Sequence, residues 1–167
     1  MIDFIDQRWL PNLVVGGSLV VVAVAGGALT EVGAWYEGLR FPNWRPPNWL
    51  FAPAWTLIYL FIYFAAVKGW ERADTAGLRA AMIGLFAANA LINIAWSALF
   101  FKLRRPDWAL ADVSALWVSV LALVLFFAAF APVSAWLLAP YLAWVSFAAF
   151  LNFTMVRLNR PFRTQRG

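Results

Sequence analysis

The sequence predicts an all-α membrane protein, a five-transmembrane-helix bundle, and three observations carry that prediction. Hydrophobic residues make up 64% of the chain and charged residues only 13%, about half the charged share of an ordinary soluble domain. The apolar residues gather into five runs, each near the ~20 residues needed to cross a hydrocarbon core. No Asp, Glu, Lys or Arg stands in the middle of any run.

The first span is expected over about 12–30. Ala23-Val24-Ala25 mimics a cleavage site, but Asp3 and Asp6 outweigh Arg8 in the preceding segment. A signal peptide needs a positive segment there, so a retained helix is expected. The second span covers about 49–68, with Asn48 as a candidate N-cap and Pro53 in the first turns. The third covers 78–102. The fourth, 107–131, is opened by Pro106, and the fifth, 134–158, holds Pro140 as a kink site. Short connections after the second, third and fourth spans predict that successive helices are antiparallel neighbours. Residues 1–167 thus form one domain, with a Trp/Pro-rich loop at 31–48.

The missing residue types exclude much chemistry. With no Cys there is no disulfide, thiolate nucleophile or iron–sulfur site. With no His there is no imidazole base, no Ser-His-Asp triad and no usual haem ligand. No metal site and no required cofactor are expected. The net charge of +5 marks helix ends in a chain this apolar, and no nucleic-acid partner is expected. Arg8, Lys68, Arg72 and Arg79 share one side. Arg40, Arg45, Lys102, Arg104, Arg105, Arg157, Arg160, Arg163 and Arg166 share the other. Nine against four puts the C-terminus and the Trp-rich loop in the cytoplasm and the N-terminus outside.

Neutral polar and aromatic side chains recur at helical spacing. Asn89, Asn93 and Ser97 form one stripe of the third span, with Trp96 beside them. Trp55, Tyr59 and Tyr63 form another on the second. Tyr141, Trp144, Ala148 and Asn152 follow on the fifth. Taken singly, each is accounted for as packing glue or an interface aromatic. Taken together, flat rings with a few amides and no charge suit a pocket for a planar apolar ligand. Ala80, Gly84 and Ala88 make a small-xxx-small row, which serves either a homodimer seam or close packing within the bundle.

The connection WYEGLRFPNWRPPNW, residues 35–49, holds three Trp, three Pro and two Arg. Pro42, Pro46 and Pro47 stiffen it, and Gly38 is the obvious hinge. It reads as a lid, with Trp35, Trp49, Arg40 and Arg45 at its rim.

Trp35-Tyr36, Leu39, Pro42, Trp44, Pro46-Pro47, Trp49, Phe51, Ala54-Trp55-Thr56 and Tyr59 together resemble the motif of the TspO/MBR family, the tryptophan-rich sensory or translocator proteins. Asn93-Ile94-Ala95-Trp96-Ser97 resembles that family's third-helix motif. Pro140-Tyr141-Leu142-Ala143-Trp144 and Leu151-Asn152-Phe153 resemble its fifth. The resemblance covers about residues 12–160. It implies a five-helix membrane bundle, usually a homodimer, that binds protoporphyrin IX or haem. Eukaryotic members bind cholesterol and benzodiazepine-type drugs. Carried over by motif, the lining would be Tyr36, Trp44, Trp55, Tyr59, Asn93, Trp96, Ser97, Trp144 and Ala148. Some similar bacterial members break down protoporphyrin in light, with Trp55 and Trp144 at the matching positions. Two departures stand out. Phe153 replaces the Tyr of the eukaryotic sterol-recognition segment, and Phe41 stands where many relatives have Lys.

The function expected is therefore tetrapyrrole binding in the membrane, as sensor, scavenger or carrier. The alternatives are light-dependent porphyrin degradation by the pocket tryptophans, or transport of a small molecule or sterol.

Overall fold

The computed structural model describes residues 2–162, with side chains from Trp9 onward. Arg163 and Arg166, and the side chains of Asp3, Asp6 and Arg8, lie outside the described residues. The elements are α1 (Ile2–Leu29), a short α2 (Ala34–Glu37), α3 (Phe51–Arg72), α4 (Ala76–Ser97), α5 (Pro106–Ala128) and α6 (Pro132–Asn159). Five of them, α1 and α3 to α6, are long and apolar enough to cross a membrane. A 3-10 turn, Asn48–Leu50, leads into α3, and α4 runs on as a π-helix, Ala98–Lys102.

Local chemistry sets these boundaries. Pro106 and Pro132 open α5 and α6, where a missing N–H costs nothing. Thr75 caps α4 by accepting the Leu78 N–H at 3.2 Å. Asn48 does not act as the expected N-cap. It sits in the 3-10 turn, and neither that turn nor α3 has a side-chain cap. Its side chain instead accepts from the Tyr36 hydroxyl at 3.5 Å. The helix of α1 starts well before the apolar run and passes through Pro11, and α6 continues through Pro140.

The five long helices close into a ring in the order α1, α3, α6, α5, α4. This corrects one expectation, because α3 and α4 are joined by a short connection yet do not pack along their lengths. α1 lies between them and packs on both. In lipid both faces of a helix are apolar, so a short loop brings helix ends together without choosing the neighbour along the whole length. The inner face of α1 is only half-buried and is built from Asn12, Val15, Gly16, Leu19, Ala23 and Gly26. A polar tie to α3 is the Tyr63 hydroxyl donating to Asn12 Oδ1 at 2.7 Å.

The main core lies around α5. Val113, Leu116, Val120, Leu123 and Phe127 pack with Ile58, Ile62 and Ala65 of α3 and Leu138, Tyr141 and Val145 of α6. Gly69 of α3 is required here, because a Cβ at that position would run into the Phe127 ring. A second, smaller core forms at the loop end. Phe100, Phe101, Ala109, Leu151 and Met155 are buried there, with Trp35, Tyr36, Leu39 and Phe41 of the loop packed onto them. The loop is thus a folded cap with its own apolar anchor. The consecutive Phe100 and Phe101, both buried, lie in the π-turn.

Candidate functional site

The three stripes converge. Trp55 of α3 meets Tyr59 at 5.5 Å between ring centroids, Tyr141 at 6.2 Å and Trp144 at 6.4 Å. Trp144 in turn meets Phe51 and Phe147, each at 5.7 Å. These contacts are mostly edge-to-face or tilted, the arrangement aromatic quadrupoles favour. Tyr59, Trp55, Trp144 and Ala148 are all half-buried, whereas Ile58, Tyr141 and Val145 beside them are buried. Across the ring stands α1, which does not pack against α6. It presents Gly16 toward Tyr63 and Gly26 toward Ser97. At those two points the wall that α1 offers to α3 and α4 has no side chain, while Val15 and Leu19 pack on the core.

A second aromatic group sits under the loop. Trp96 of α4 stacks on Phe100 at 5.0 Å. Trp35 meets Phe100 edge-on at 6.0 Å, and Tyr36 meets Phe101 at 5.6 Å. Phe51 joins the two groups, touching Trp144 while packing on the second core. Trp44 lies at the outer margin, stacked on the exposed Phe150 at 5.2 Å with 17° between planes. Trp49 is 71% exposed and reads as an interface aromatic rather than part of a rim.

The amides divide. Asn93 Nδ2 donates to the Tyr141 hydroxyl at 3.1 Å, and that hydroxyl donates to Asn89 Oδ1 at 3.2 Å. Asn89 Nδ2 donates to Ser119 Oγ at 2.8 Å. Asn89 is buried and belongs wholly to this inter-helix network, so the packing reading holds for it. Asn93 stays half-buried at the network's edge. The Trp96 indole N–H donates to Asn152 Oδ1 at 3.1 Å, and Asn152 Nδ2 donates to the Pro106 carbonyl at 2.9 Å. Ser97 is buried against α1.

Residue-by-residue reading of the sequence missed several of these partners. Asn159 pins the loop through Arg40, as Phe100 and Phe101 anchor it from below. The paired Phe100-Phe101 was a usable signal, since two adjacent large rings at a helix end mark a place where a further segment must cover them. Asp112 of α5 has a buried Oδ2 without a hydrogen-bond partner among the described residues. Gly38 is not a conformational hinge. Its φ of −74° suits any residue, and its N–H bonds the Ala34 carbonyl at 3.0 Å.

Two of the cations at the loop end pair with carboxylates. Lys102 pairs with Glu31 at 3.1 Å. Arg105 pairs with Asp107, which raises the Arg105 pKa, and its guanidinium lies 4.3 Å from the Trp108 ring centroid. Arg40 is exposed. Arg45 is half-buried, with its guanidinium carbon 3.7 Å from the Phe41 ring centroid. Burial pushes the Tyr36 phenol up, and the nearby Arg45 partly offsets this.

Ala80, Gly84 and Ala88 all face outward, and a Cβ at Gly84 would meet nothing within 4 Å. The row therefore does not serve packing inside this bundle. An apolar groove of about 280 Å³, lined by Val124, Ala128, Pro132, Ala135, Trp136 and Ala139, lies at the end of α5 and α6 away from the loop.

Comparison with known proteins agrees with this architecture. The model of the TspO/MBR family matches residues 14–158. The tryptophan-rich protein TspO of Chlorobaculum tepidum is 37% identical over 149 residues, covering 86% of this chain and 92% of the relative. The translocator protein of Sus scrofa is 35% identical over 165 residues, covering 95% of each chain. The tryptophan-rich sensory protein of Cereibacter sphaeroides is 37% identical over 136 residues, covering 80% of this chain and 82% of the relative. With five membrane-length helices, a stiff aromatic loop folded onto them and these relatives, the chain is an integral multi-pass membrane protein and belongs to the TspO/MBR family.

Proposed function

We propose that this protein binds a planar tetrapyrrole of the protoporphyrin IX or haem type beneath the loop and acts as its sensor, scavenger or carrier. The observation that carries the reading is the half-buried set Trp55, Tyr59 and Trp144, joined through Phe51 to the core on which the loop is folded. A flat macrocycle needs ring faces to lie on and a wall thin enough to admit it. The helix row Ala80, Gly84 and Ala88 supports a homodimer in the lipid bilayer. The excess of basic residues at the loop end supports a cytoplasmic loop and C-terminus.

The chain has no His and no Cys to ligate iron. Tyr or Met is left as an axial ligand, and the reading is binding by stacking rather than ligation, with metal-free protoporphyrin held at least as tightly as haem. Quenching of tryptophan fluorescence by protoporphyrin, haem, a sterol and a benzodiazepine-type ligand tests this. Protoporphyrin is expected to saturate at the lowest concentration. Tight, axially ligated haem without protoporphyrin affinity would overturn it.

A second reading rests on the Trp55–Trp144 contact at 6.4 Å. An indole beside a photoexcited porphyrin is an electron donor that needs no acid–base residue, so light-dependent degradation at the same site is the alternative.

A further inference from the structure

Among the cations of the loop end, Arg45 stands apart. Its Nη1 is buried and has no hydrogen-bond partner among the described residues. No carboxylate among the described residues pairs with it, while Lys102 and Arg105 each have one. A buried donor on a permanent cation is costly when nothing accepts from it. The side chain is also held in place. The Arg45 N–H closes a turn onto the Pro42 carbonyl at 3.1 Å, Pro46 restricts the Arg45 backbone, and the guanidinium lies 3.7 Å from the Phe41 ring centroid. The loop thus carries this cation turned over an aromatic face. Tyr36 lies beside it, within reach of the guanidinium, and its hydroxyl shares a long 3.5 Å bond with Asn48. With its pKa pushed up by burial, that hydroxyl stays protonated, and its one O–H can turn from the long Asn48 bond to a ligand oxygen.

We propose that Arg45 is the receptor for a carboxylate of the bound ligand, so that the site selects planar molecules bearing an acidic group over neutral molecules with the same ring. This rests on the reading above that a planar ligand lies beneath the loop. An oxyanion can come from the ligand or from a lipid phosphate. Burial of Nη1 favours the ligand, since the exposed Arg40 is the cation that headgroups reach.

The test uses the full chain in maltoside micelles, titrated with protoporphyrin IX and its dimethyl ester, and with pyrenebutyrate and its methyl ester. Wild type is expected to prefer each acid by about tenfold or more, the worth of a charge-assisted hydrogen bond. In Arg45→Gln that preference collapses while ester affinity is kept, which also reports a folded site. Arg45→Lys retains part of it, and Arg40→Gln retains all of it. An unchanged preference in Arg45→Gln, or equal loss in Arg40→Gln, overturns the proposal. If no porphyrin binds but pyrenebutyrate shows the Arg45-dependent preference, the tetrapyrrole reading falls and the carboxylate receptor stands. No acid preference in wild type for either pair overturns the receptor. In nanodiscs, loss of the wild-type preference on adding phosphatidylglycerol, with no effect in Arg45→Gln, assigns Arg45 to lipid phosphate and overturns it too.

Discussion

The side-chain amide of Asn159, at the last turn of α6, brackets the backbone of Arg40. Its Oδ1 accepts the Arg40 N–H at 2.8 Å, and its Nδ2 donates to the Arg40 carbonyl at 2.9 Å and to the Met155 carbonyl at 2.8 Å. One residue thereby fixes the loop to the helix that carries Trp144.

Asn159→Ala is expected to free the loop without disturbing the aromatic set. Loss of these bonds at a partly solvated site should cost about 1–2 kcal/mol. Hydrogen exchange at Leu39 to Phe41 should quicken, and bound porphyrin should leave several-fold faster. Asn159→Asp keeps one acceptor but sets an oxygen against two carbonyls, so it should be no better than Ala. Unaltered exchange and release in both variants would show that the loop is held by its aromatic anchor alone.

This clamp was not legible in the sequence, because its partners are 119 residues apart and neither belongs to a periodic pattern. The spans were legible, since a run of apolar residues is a local property that the bilayer reads directly. The stripes of α3, α4 and α6 were legible for the same reason. Which helix stands beside which was not, and the intrusion of α1 between α3 and α4 shows why. In lipid the hydrophobic pattern no longer marks a unique buried face. The role of Tyr141 was half-legible. Its spacing placed it on the Trp144 face, but only the tertiary fold brings its hydroxyl between two amides.

Tyr141→Phe separates the two uses of the amides. The ring and its contact with Trp55 remain, but Asn89 and Asn93 lose their shared partner. Thermal unfolding in detergent should show a loss of about 1–2 kcal/mol, near the upper end for hydrogen bonds between membrane helices. Ligand affinity should move less than stability. If Asn93 touches ligand, Asn93→Ala should weaken binding several-fold beyond Tyr141→Phe. Equal affinities in the two variants would confine Asn93 to packing.

Gly69→Ala tests the closeness of α3 to α5. The added methyl collides with the fully buried Phe127 ring, and overpacking of this kind costs about 1–3 kcal/mol. Adding Phe127→Leu should recover part of the loss, because the smaller side chain makes room. A double variant less stable than the two single losses combined would contradict direct contact as the cause.

Trp55→Phe and Trp144→Phe test the photochemical reading. Phenylalanine keeps a ring to stack on but is a far poorer electron donor. Each single variant should bind protoporphyrin within a few-fold of wild type, while bleaching of the bound pigment under light slows, most in the double variant. Bleaching at the wild-type rate in all three would reduce the site to binding alone.

Gly84 decides the oligomer. It lies with Ala80 and Ala88 on an outward face of α4 where a Cβ meets nothing within 4 Å, so Gly84→Cys should leave the monomer fold and its melting temperature unaltered. The native chain has no cysteine, so any disulfide dimer must form through the introduced thiol. A bridge requires Cα atoms within about 7 Å, a distance that two α4 helices reach only when small residues let their backbones close up. Rapid oxidation to a dimer in nanodiscs is therefore expected for Gly84→Cys, with slow or no crosslinking for Val118→Cys on the exposed face of α5. Gly84→Leu should convert the protein to monomers on light scattering. Equal crosslinking at both positions, or a dimer that survives Gly84→Leu, would move the seam elsewhere.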